Sequence, residues 1–165
     1  MLQQILENLL ASDADEVICV TDDLGAAREI KLSDSRLIWH FNSIAMHGQS
    51  TSVVAGLWAS HPESDGVMIV AAEPPLVPKE LINALIDRFV TSRASIIAPG
   101  IREQPPNPIL FRRDLYSELL KLGGDDSGLS LLERHIEKTA LVEWPEEYLS
   151  NFAQCQTYAR SKERV

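Results

Sequence analysis

The stretch that decides the fold is Gly66-Val67-Met68-Ile69-Val70-Ala71, an apolar run without a polar break. A strand with one exposed face alternates apolar and polar residues, so an unbroken run is typical of a strand covered on both faces. Prolines soon follow, and Pro78 suits the first turn of a helix. We therefore expect residues 67–71 to form a central, fully buried strand and residues 78–91 to form the helix after it.

The rest of the chain repeats this alternation of strand and helix patterns. Apolar runs predict strands at 17–20, 36–40, 95–98 and 140–142, with a short extended piece at 108–111. Helical spacing predicts helices at 2–10, 50–60, 113–122 and 129–137. Strands that alternate with helices predict an α/β fold with a parallel sheet covered on both faces. The length favours a single domain, residues 1–165, in which 150–165 form a polar, weakly helical tail.

Composition excludes several functional classes. The formal net charge is −9 and the sequence pI is about 4.9, which argues against binding to nucleic acids or anionic membranes, because both require a basic surface. No apolar run reaches the roughly 18 residues of a transmembrane helix, and the first residues lack the layout of a signal peptide. Cys19 and Cys155 are too few for a disulfide framework or a metal cage. We expect a cytoplasmic protein with reduced thiols.

Ligands of parallel α/β sheets bind at the carboxyl ends of the strands, so the loops there are the places to look for a site. Gly48-Gln49-Ser50-Thr51-Ser52 leads into a predicted helix, whose free N–H groups and hydroxyls favour a phosphate. Ordinary capping of the helix by Ser50 or Thr51 explains the same residues and is the commoner situation.

Acidic residues in two of these loops suggest metal chemistry. Glu73 follows the most apolar strand, and a carboxylate there suits Mg²⁺ together with substrate phosphates. Asp125 and Asp126 lie in a glycine-rich turn before a helix, where they suit a metal or a substrate amine. The alternatives are a solvated loop glutamate at position 73 and, for the aspartates, a turn followed by a helix cap.

Several segments, taken in order, resemble one known family. Residues 42–57 resemble the asparagine-to-glycine loop and serine-rich helix of MobA-like nucleotidyltransferases, above all the molybdenum-cofactor cytidylyltransferases. Residues 67–82 are similar to the apolar strand, Asp-Gln-Pro loop and helix of that family. Residues 107–111 look like its Asn-Pro-Val-Leu-Phe segment, and Gly124-Asp125 matches its Gly-Asp helix start. The resemblance spans most of the chain.

The resemblance implies a fold, a reaction and a set of site residues. The fold is a Rossmann-like three-layer α/β/α arrangement with a mainly parallel sheet, as in nucleotide-diphospho-sugar transferases. The reaction is transfer of CMP or GMP from CTP or GTP to the phosphate of molybdopterin, with Mg²⁺ and release of pyrophosphate. By this resemblance Glu73 is the catalytic metal ligand. The nucleotide- and substrate-binding residues are Gly48, Gln49, Ser50, Ser52, Asn107 and Asp125.

The sequence departs from the family at its beginning. Family members start with a strand and a glycine-rich loop, followed by an arginine and a lysine that help to hold the triphosphate, whereas Met1 already lies in the helix after that loop. The family's first strand lies in the middle of the sheet. The strands at 17–20 and 67–71 must then pair directly, leave a gap or recruit another chain. Because unpaired edges invite association, we expect an altered strand order or a tendency to form homo-oligomers.

Two further departures concern carboxylates. Glu73 replaces an aspartate of the family, which moves the oxygens by about an ångström in a tightly positioned site. The late Asp-Ile-Asp-Thr-Pro motif aligns with residues 151–155 and leaves no carboxylate, or alternatively with a segment that keeps Glu143. Two functional classes remain: a nucleotidyltransferase, or a catalytically inactive relative or truncated gene product that acts by binding or regulation. We favour the inactive relative for these 165 residues.

Overall fold

The structure is a computed structural model that describes residues 1–72, 77–100 and 106–144. Helices cover Leu2–Leu10 (α1), Ala26–Glu29 (α2), Gln49–Ala59 (α3), Lys79–Thr91 (α4), Tyr116–Leu119 (α5) and Leu129–Arg134 (α6). Strands cover Val17–Thr21 (β1), Leu37–Phe41 (β2), Gly66–Ile69 (β3), Ile96–Pro99 (β4), Ile109–Arg112 (β5) and Thr139–Val142 (β6). This alternation of strands and helices confirms the α/β class.

Two predicted helices are shorter than expected. A 3-10 turn at Arg113–Leu115 precedes α5 where one helix over 113–122 was expected. The expected helix over 129–137 ends with α6, because His135 leaves helical geometry (φ −117°, ψ 36°) and a 3-10 turn follows at Ile136–Lys138. The predicted tail, residues 150–165, lies outside the described residues.

The strands form two sheets of mixed direction. β1 pairs with β2 in parallel, Val17 opposite Leu37, and forms a two-stranded sheet. The other sheet has the order β3-β5-β4-β6. In it β5 runs antiparallel to both β3 and β4, whereas β4 and β6 are parallel. The sheets are therefore mixed rather than mainly parallel, since β5 returns in the direction opposite to its neighbours.

The expectation that 67–71 form a central, fully buried strand is wrong. β3 lies at the edge of the four-stranded sheet and all its residues are only half-buried. The buried centre is β4, which is covered along its whole length, together with β5, whose Phe111 is fully buried. An unbroken apolar run identifies a strand with two apolar faces, but its neighbours in the sheet decide how much of it is buried.

Hydrophobic clusters fill both faces of the sheets. One cluster joins Leu57 of α3 to Phe111 of β5 and Leu131 of α6. Another joins Leu81 and Leu85 of α4 to the other face of β4 and β5. Cys19, on β1, is a free and buried thiol in a third cluster, and burial raises its pKa to about 11. Such a thiol stays protonated and acts as a small core residue.

The helices that the structure describes are short or amphipathic. Within the described ranges 1–72, 77–100 and 106–144, none is long and apolar enough to cross a membrane.

Candidate functional site

The parallel pair β1 and β2 brings two loops to the same edge. Just beyond the pair, the Asn42 amide donates to the Thr21 carbonyl at 2.8 Å, so the ladder continues to the start of both loops. After β1 the chain turns sharply: the Asp23 amide donates to the Thr21 hydroxyl at 3.0 Å, and the Gly25 amide donates to the Asp23 carboxylate at 2.7 Å. This edge is where a parallel α/β sheet presents its ligand site.

Asn42 organises the loop after β2. It is only 4% exposed, and its side-chain amide donates to the hydroxyls of Thr51 and Ser52, both at 3.0 Å. Its side-chain oxygen accepts from the Ile44 amide at 3.2 Å. Because a buried amide without partners is costly, these bonds fix the first turn of α3 to the end of β2. Sequence reasoning placed Asn42 in the loop without a role. An asparagine directly after a predicted strand was the available signal.

Gly48 brings the start of α3 against the glycine-rich turn at 123–128. Its φ of +114° is a conformation that favours glycine, and a Cβ there would lie 2.3 Å from the Gly124 carbonyl oxygen. The Ser50 amide donates to the same oxygen at 3.0 Å. Two segments predicted to belong to the site, 48–52 and 123–128, are therefore in direct contact.

The contact with Gly124 occupies the N-terminus of α3. The Ser50 amide is bonded to Gly124 and the Thr51 amide to the Gly48 carbonyl at 3.2 Å, so these amides do not point into solvent. Ser50 is itself only 3% exposed, whereas the Gln49 side chain is exposed at the surface. Neither Ser50 nor Thr51 makes a side-chain cap of the helix. Backbone carbonyls thus accept from most of the amides that would otherwise favour an anion at this end of the helix.

The aspartates of the turn before α6 differ in their surroundings. Asp126 accepts from the Gly128 amide at 2.8 Å and from the Ser130 hydroxyl. Partial burial alone would raise the pKa of Asp126, but the hydrogen bonds from Ser130, Gly128 and Leu129 outweigh it and lower the pKa. Asp125 is exposed. Asp126 is therefore a structural residue of the turn, and Asp125 is the aspartate that faces solvent.

The turn also contacts the strand that precedes Glu73. A Cβ on Gly128, which has a φ of +110°, would lie 2.7 Å from the Phe111 ring and 3.7 Å from the Ile69 side chain. The 123–128 turn thus contacts both the start of α3 and the end of β3. Glu73 lies outside the described residues, so its expected position facing 48–52 stays a prediction.

Asn107 continues the β3–β5 ladder with its side chain. The Ala71 amide donates to the side-chain oxygen of Asn107 at 3.0 Å, and the Asn107 side-chain amide donates to the Ala71 carbonyl at 3.4 Å. Asn107 therefore holds the backbone two residues before Glu73. Of the alternatives for a late carboxylate, Glu143 is exposed directly after β6, and residues 151–155 lie outside the described ranges.

Metal ligands are sparse in this part of the molecule. Among the described residues, no group of three or more His, Cys, Asp or Glu side chains could hold a metal ion. A cation here would depend on Glu73 and on oxygen ligands that a substrate brings with it.

Comparison with known proteins identifies the domain and the fold. The family model described as a MobA-like NTP transferase domain matches residues 1–139. No curated protein matches the chain. Rv0371c from Mycobacterium tuberculosis H37Rv superposes with a TM-score of 0.70 at 18% identity, over 87% of this chain and 74% of that one.

Other solved structures give the same result. The manganese complex of Rv0371c has a TM-score of 0.67 at 19% identity, over 87% of this chain and 77% of that one. A 4-diphosphocytidyl-2C-methyl-D-erythritolsynthase from Anaerococcus prevotii DSM 20548 has a TM-score of 0.68 at 20% identity, over 94% of this chain and 85% of that one. At these identities the likeness shows the shared fold.

Proposed function

We propose a function on the premise that this chain belongs to the MobA-like NTP transferase domain family. Its site takes a nucleoside triphosphate with a divalent cation, and the acceptor that suits the site is a molybdopterin-type phosphate. The 165-residue chain binds CTP and GTP weakly and does not transfer the nucleotide. It acts as a binding or regulatory relative of the transferases. We place it in the cytoplasm, in keeping with the free Cys19 thiol.

The observation that carries this proposal is the start of α3. The Ser50 and Thr51 amides already donate hydrogen bonds to the Gly124 and Gly48 carbonyls. A triphosphate would have to compete with these bonds on a protein whose net charge is −9. A helix terminus stabilises an exposed anion by only about 0.3–1 kcal/mol. A dissociation constant of 0.1 mM corresponds to about 5.5 kcal/mol, so this terminus contributes a small part of what is needed.

The residues of the site take different roles in this proposal. Glu73 is the metal ligand and the catalytic carboxylate. It can supply oxygen ligands to Mg²⁺ or Mn²⁺, with the rest coming from the phosphates and water. The exposed Gln49 and Asp125 contact the nucleotide. The remaining residues shape the cleft: Gly48, Ser50, Ser52 and Asn107. A bound cation would offset the charge that builds up between the phosphates during transfer.

Titration calorimetry with CTP and GTP, each with Mg²⁺ and with Mn²⁺, tests the proposal. We expect dissociation constants of about 1 mM or weaker, equivalent to about 4.1 kcal/mol or less. A pyrophosphate assay with molybdopterin as the acceptor should show no release above the background.

Glu73→Ala and Glu63→Ala form the matched pair for this experiment. Glu63 is an exposed glutamate in the loop before β3. We expect Glu73→Ala to abolish the metal dependence of the weak binding and Glu63→Ala to leave it unchanged. Micromolar binding, or pyrophosphate release that only Glu73→Ala removes, would establish an active transferase and overturn the proposal.

A further inference from the structure

The segment 37–62 carries no Asp, Glu, Lys or Arg side chain, although these residues make up 24% of the chain. It comprises β2, the loop after β2 and the whole of α3. A strand inside a sheet is commonly uncharged, but a helix that covers a sheet normally carries charged residues on its outer face. The face of α3 that points away from the sheets is therefore unusual for a surface exposed to water.

The packing of α3 shows which of its residues point outward. Val53 and Leu57 pack in the cluster that contains Phe111, and a Cβ on Gly56 would lie 3.3 Å from the Val20 side chain. Residues three and four positions apart share one face of a helix, so the residues between these lie on the opposite side. That side, which we call the α3 outer face, consists of Thr51, Val54, Ala55 and Trp58.

The α3 outer face is apolar and can be covered at little cost. Trp58 is 74% exposed, and the apolar Val54 and Ala55 are half-buried. Thr51 contributes the only hydroxyl, which donates to the Gly48 carbonyl at 2.8 Å. Because that hydroxyl already has a partner within the chain, covering the face would leave no polar side chain of Thr51 without a hydrogen bond.

Exposed apolar side chains adjoin the beginning of this face. The Thr51 hydroxyl lies 3.3 Å from the Ile44 carbonyl oxygen, which places the loop after β2 next to the first turn of α3. Ile44 is 53% exposed and Met46 is 88% exposed. Single exposed apolar residues are normal, whereas several on adjoining elements mark an interaction surface.

Charge favours a second copy of this chain as the partner. The formal net charge is −9, so two copies repel each other wherever their charged surfaces approach. Contact through the α3 outer face brings uncharged residues of one copy against uncharged residues of the other. A basic partner would instead gain from an acidic surface, such as the loop with the exposed Asp22 and Asp23.

The α3 outer face is also complementary to itself in shape. Its largest side chain, Trp58, lies at one end, and the smaller Thr51 and Ala55 lie toward the other end. A twofold axis near Val54, at the middle of the face, makes the two copies of α3 antiparallel. Trp58 of each copy then lies beside Thr51 and Ala55 of the other, where small side chains leave room for the indole ring.

We propose that this chain forms a homodimer through the α3 outer face, with the two helices antiparallel around a twofold axis near Val54. Trp58 of each copy is the anchor of the interface, as aromatic side chains in such surfaces commonly are. Ile44 and Met46 extend the apolar surface beyond the first turn of α3. This contact is made by helices and does not depend on the unpaired strand edges from which the sequence predicted association.

Sedimentation velocity of the full chain over a concentration series tests the proposal. We expect the mass to rise from the 18.4 kDa of one chain to twice that value as the concentration increases. Trp58→Ala should weaken dimerisation by about a hundredfold, because an aromatic anchor is lost from both copies. Val90→Ala is the matched control: Val90 is also 74% exposed on a helix, but it lies on α4, and its replacement should leave dimerisation unchanged.

A pair of charge variants tests both the partner and the position of the axis. The axis brings position 54 of one copy close to position 54 of the other, so Val54→Lys alone and Val54→Glu alone should each be monomeric through repulsion of like charges. An equimolar mixture should form a dimer that contains one copy of each, which native mass spectrometry identifies by its mass. Circular dichroism of each variant verifies that it is folded.

Several results would overturn the proposal. A parent chain that stays monomeric at the highest concentration would mean that a different protein, or another part of this chain, covers the α3 outer face. A dimer that persists in both Val54 variants, or that Val90→Ala weakens as much as Trp58→Ala does, would place the interface elsewhere. Folded Val54 variants that fail to pair in the mixture would contradict the twofold axis near Val54.

Discussion

Replacing Gly48 by alanine should destabilise the protein more than replacing either glycine of the 123–124 pair. The new Cβ would lie 2.3 Å from the Gly124 carbonyl oxygen, and Gly48 has a φ of +114°. The oxygen belongs to the backbone, so the turn at 123–128 must move by roughly 1.1 Å to reach an ordinary contact of 3.4 Å. This movement also disturbs the Ser50–Gly124 hydrogen bond, which is 3.0 Å long.

The magnitude follows from these contributions. A non-glycine residue in the conformation of Gly48 (φ +114°, ψ 165°) costs about 1–3 kcal/mol. Overpacking costs about 1–3 kcal/mol, and a weakened hydrogen bond about 0.5–1.5 kcal/mol. Because partial relaxation makes the contributions less than additive, we expect Gly48→Ala to lower the free energy of unfolding by about 2–5 kcal/mol. For a domain of this size the melting temperature should fall by roughly 5–15 °C.

Urea denaturation at equilibrium measures this loss, and the neighbouring glycines supply two controls. Gly124 has a φ of +62° and no atom within 4 Å of the position that a Cβ would take, so Gly124→Ala should cost only the backbone contribution, about 1 kcal/mol. Gly123 has open space and no positive φ, and Gly123→Ala should stay within about 0.5 kcal/mol of the parent protein. A Gly48→Ala variant as stable as Gly123→Ala would refute the close contact between α3 and the turn.

Two further substitution pairs test other contacts. Asp126→Ala should cost about 1–2 kcal/mol at neutral pH and Asp125→Ala less than about 0.5 kcal/mol, because only Asp126 accepts hydrogen bonds at the start of α6. The pKa of Asp126 is lowered in the folded protein. The stabilisation by this carboxylate is therefore present above the ordinary pKa of 3.8 and is lost as the pH falls through the folded-state value. Urea denaturation of the parent and of Asp126→Ala across acidic pH measures this loss. Arg112→Lys should cost about 2 kcal/mol, because the guanidinium donates to the Phe89, Ser92 and Ala94 carbonyls and lies 4.0 Å over the Phe89 ring. Arg88 is exposed, and Arg88→Lys should keep the free energy of unfolding within about 0.5 kcal/mol of the parent protein. If both members of either pair lost the same stability, the hydrogen bonds of Asp126 or of Arg112 would be contradicted.

The sequence predicts the strands and helices better than their arrangement. The run at 67–70 identifies a strand, and its alternate residues do pack on two faces, against α3 and against α1. Its place at a sheet edge depends on its pairing with β5, which lies about forty residues further along the chain. No local periodicity encodes that pairing. The sequence left direct pairing, a gap and recruitment open as alternatives, and between β1 and β3 the structure has a gap in the hydrogen bonding.

The candidate site shows a similar limit. The glycines and small polar residues of 48–52 and of 123–128 indicate each segment in the sequence. The contact between them through Gly124 forms only in the folded chain, and no local pattern predicts it. The role of Asn42 depends on the hydroxyls of Thr51 and Ser52, which reach it only after α3 has formed. The family, by contrast, could be inferred from ordered motifs, and the match over residues 1–139 confirms it.

The proposed nucleotide site depends on how α3 is held in the fold. Its first turn is fixed by Asn42 and by the Gly124 carbonyl, and its later turns place Gly56 and Leu57 over β1 and β3. A triphosphate at the start of α3 would therefore meet amides that already have acceptors, on a helix that is held along its length. Freeing the Ser50 amide would require the turn at 123–128 to move away, which supports the weak nucleotide binding that we propose.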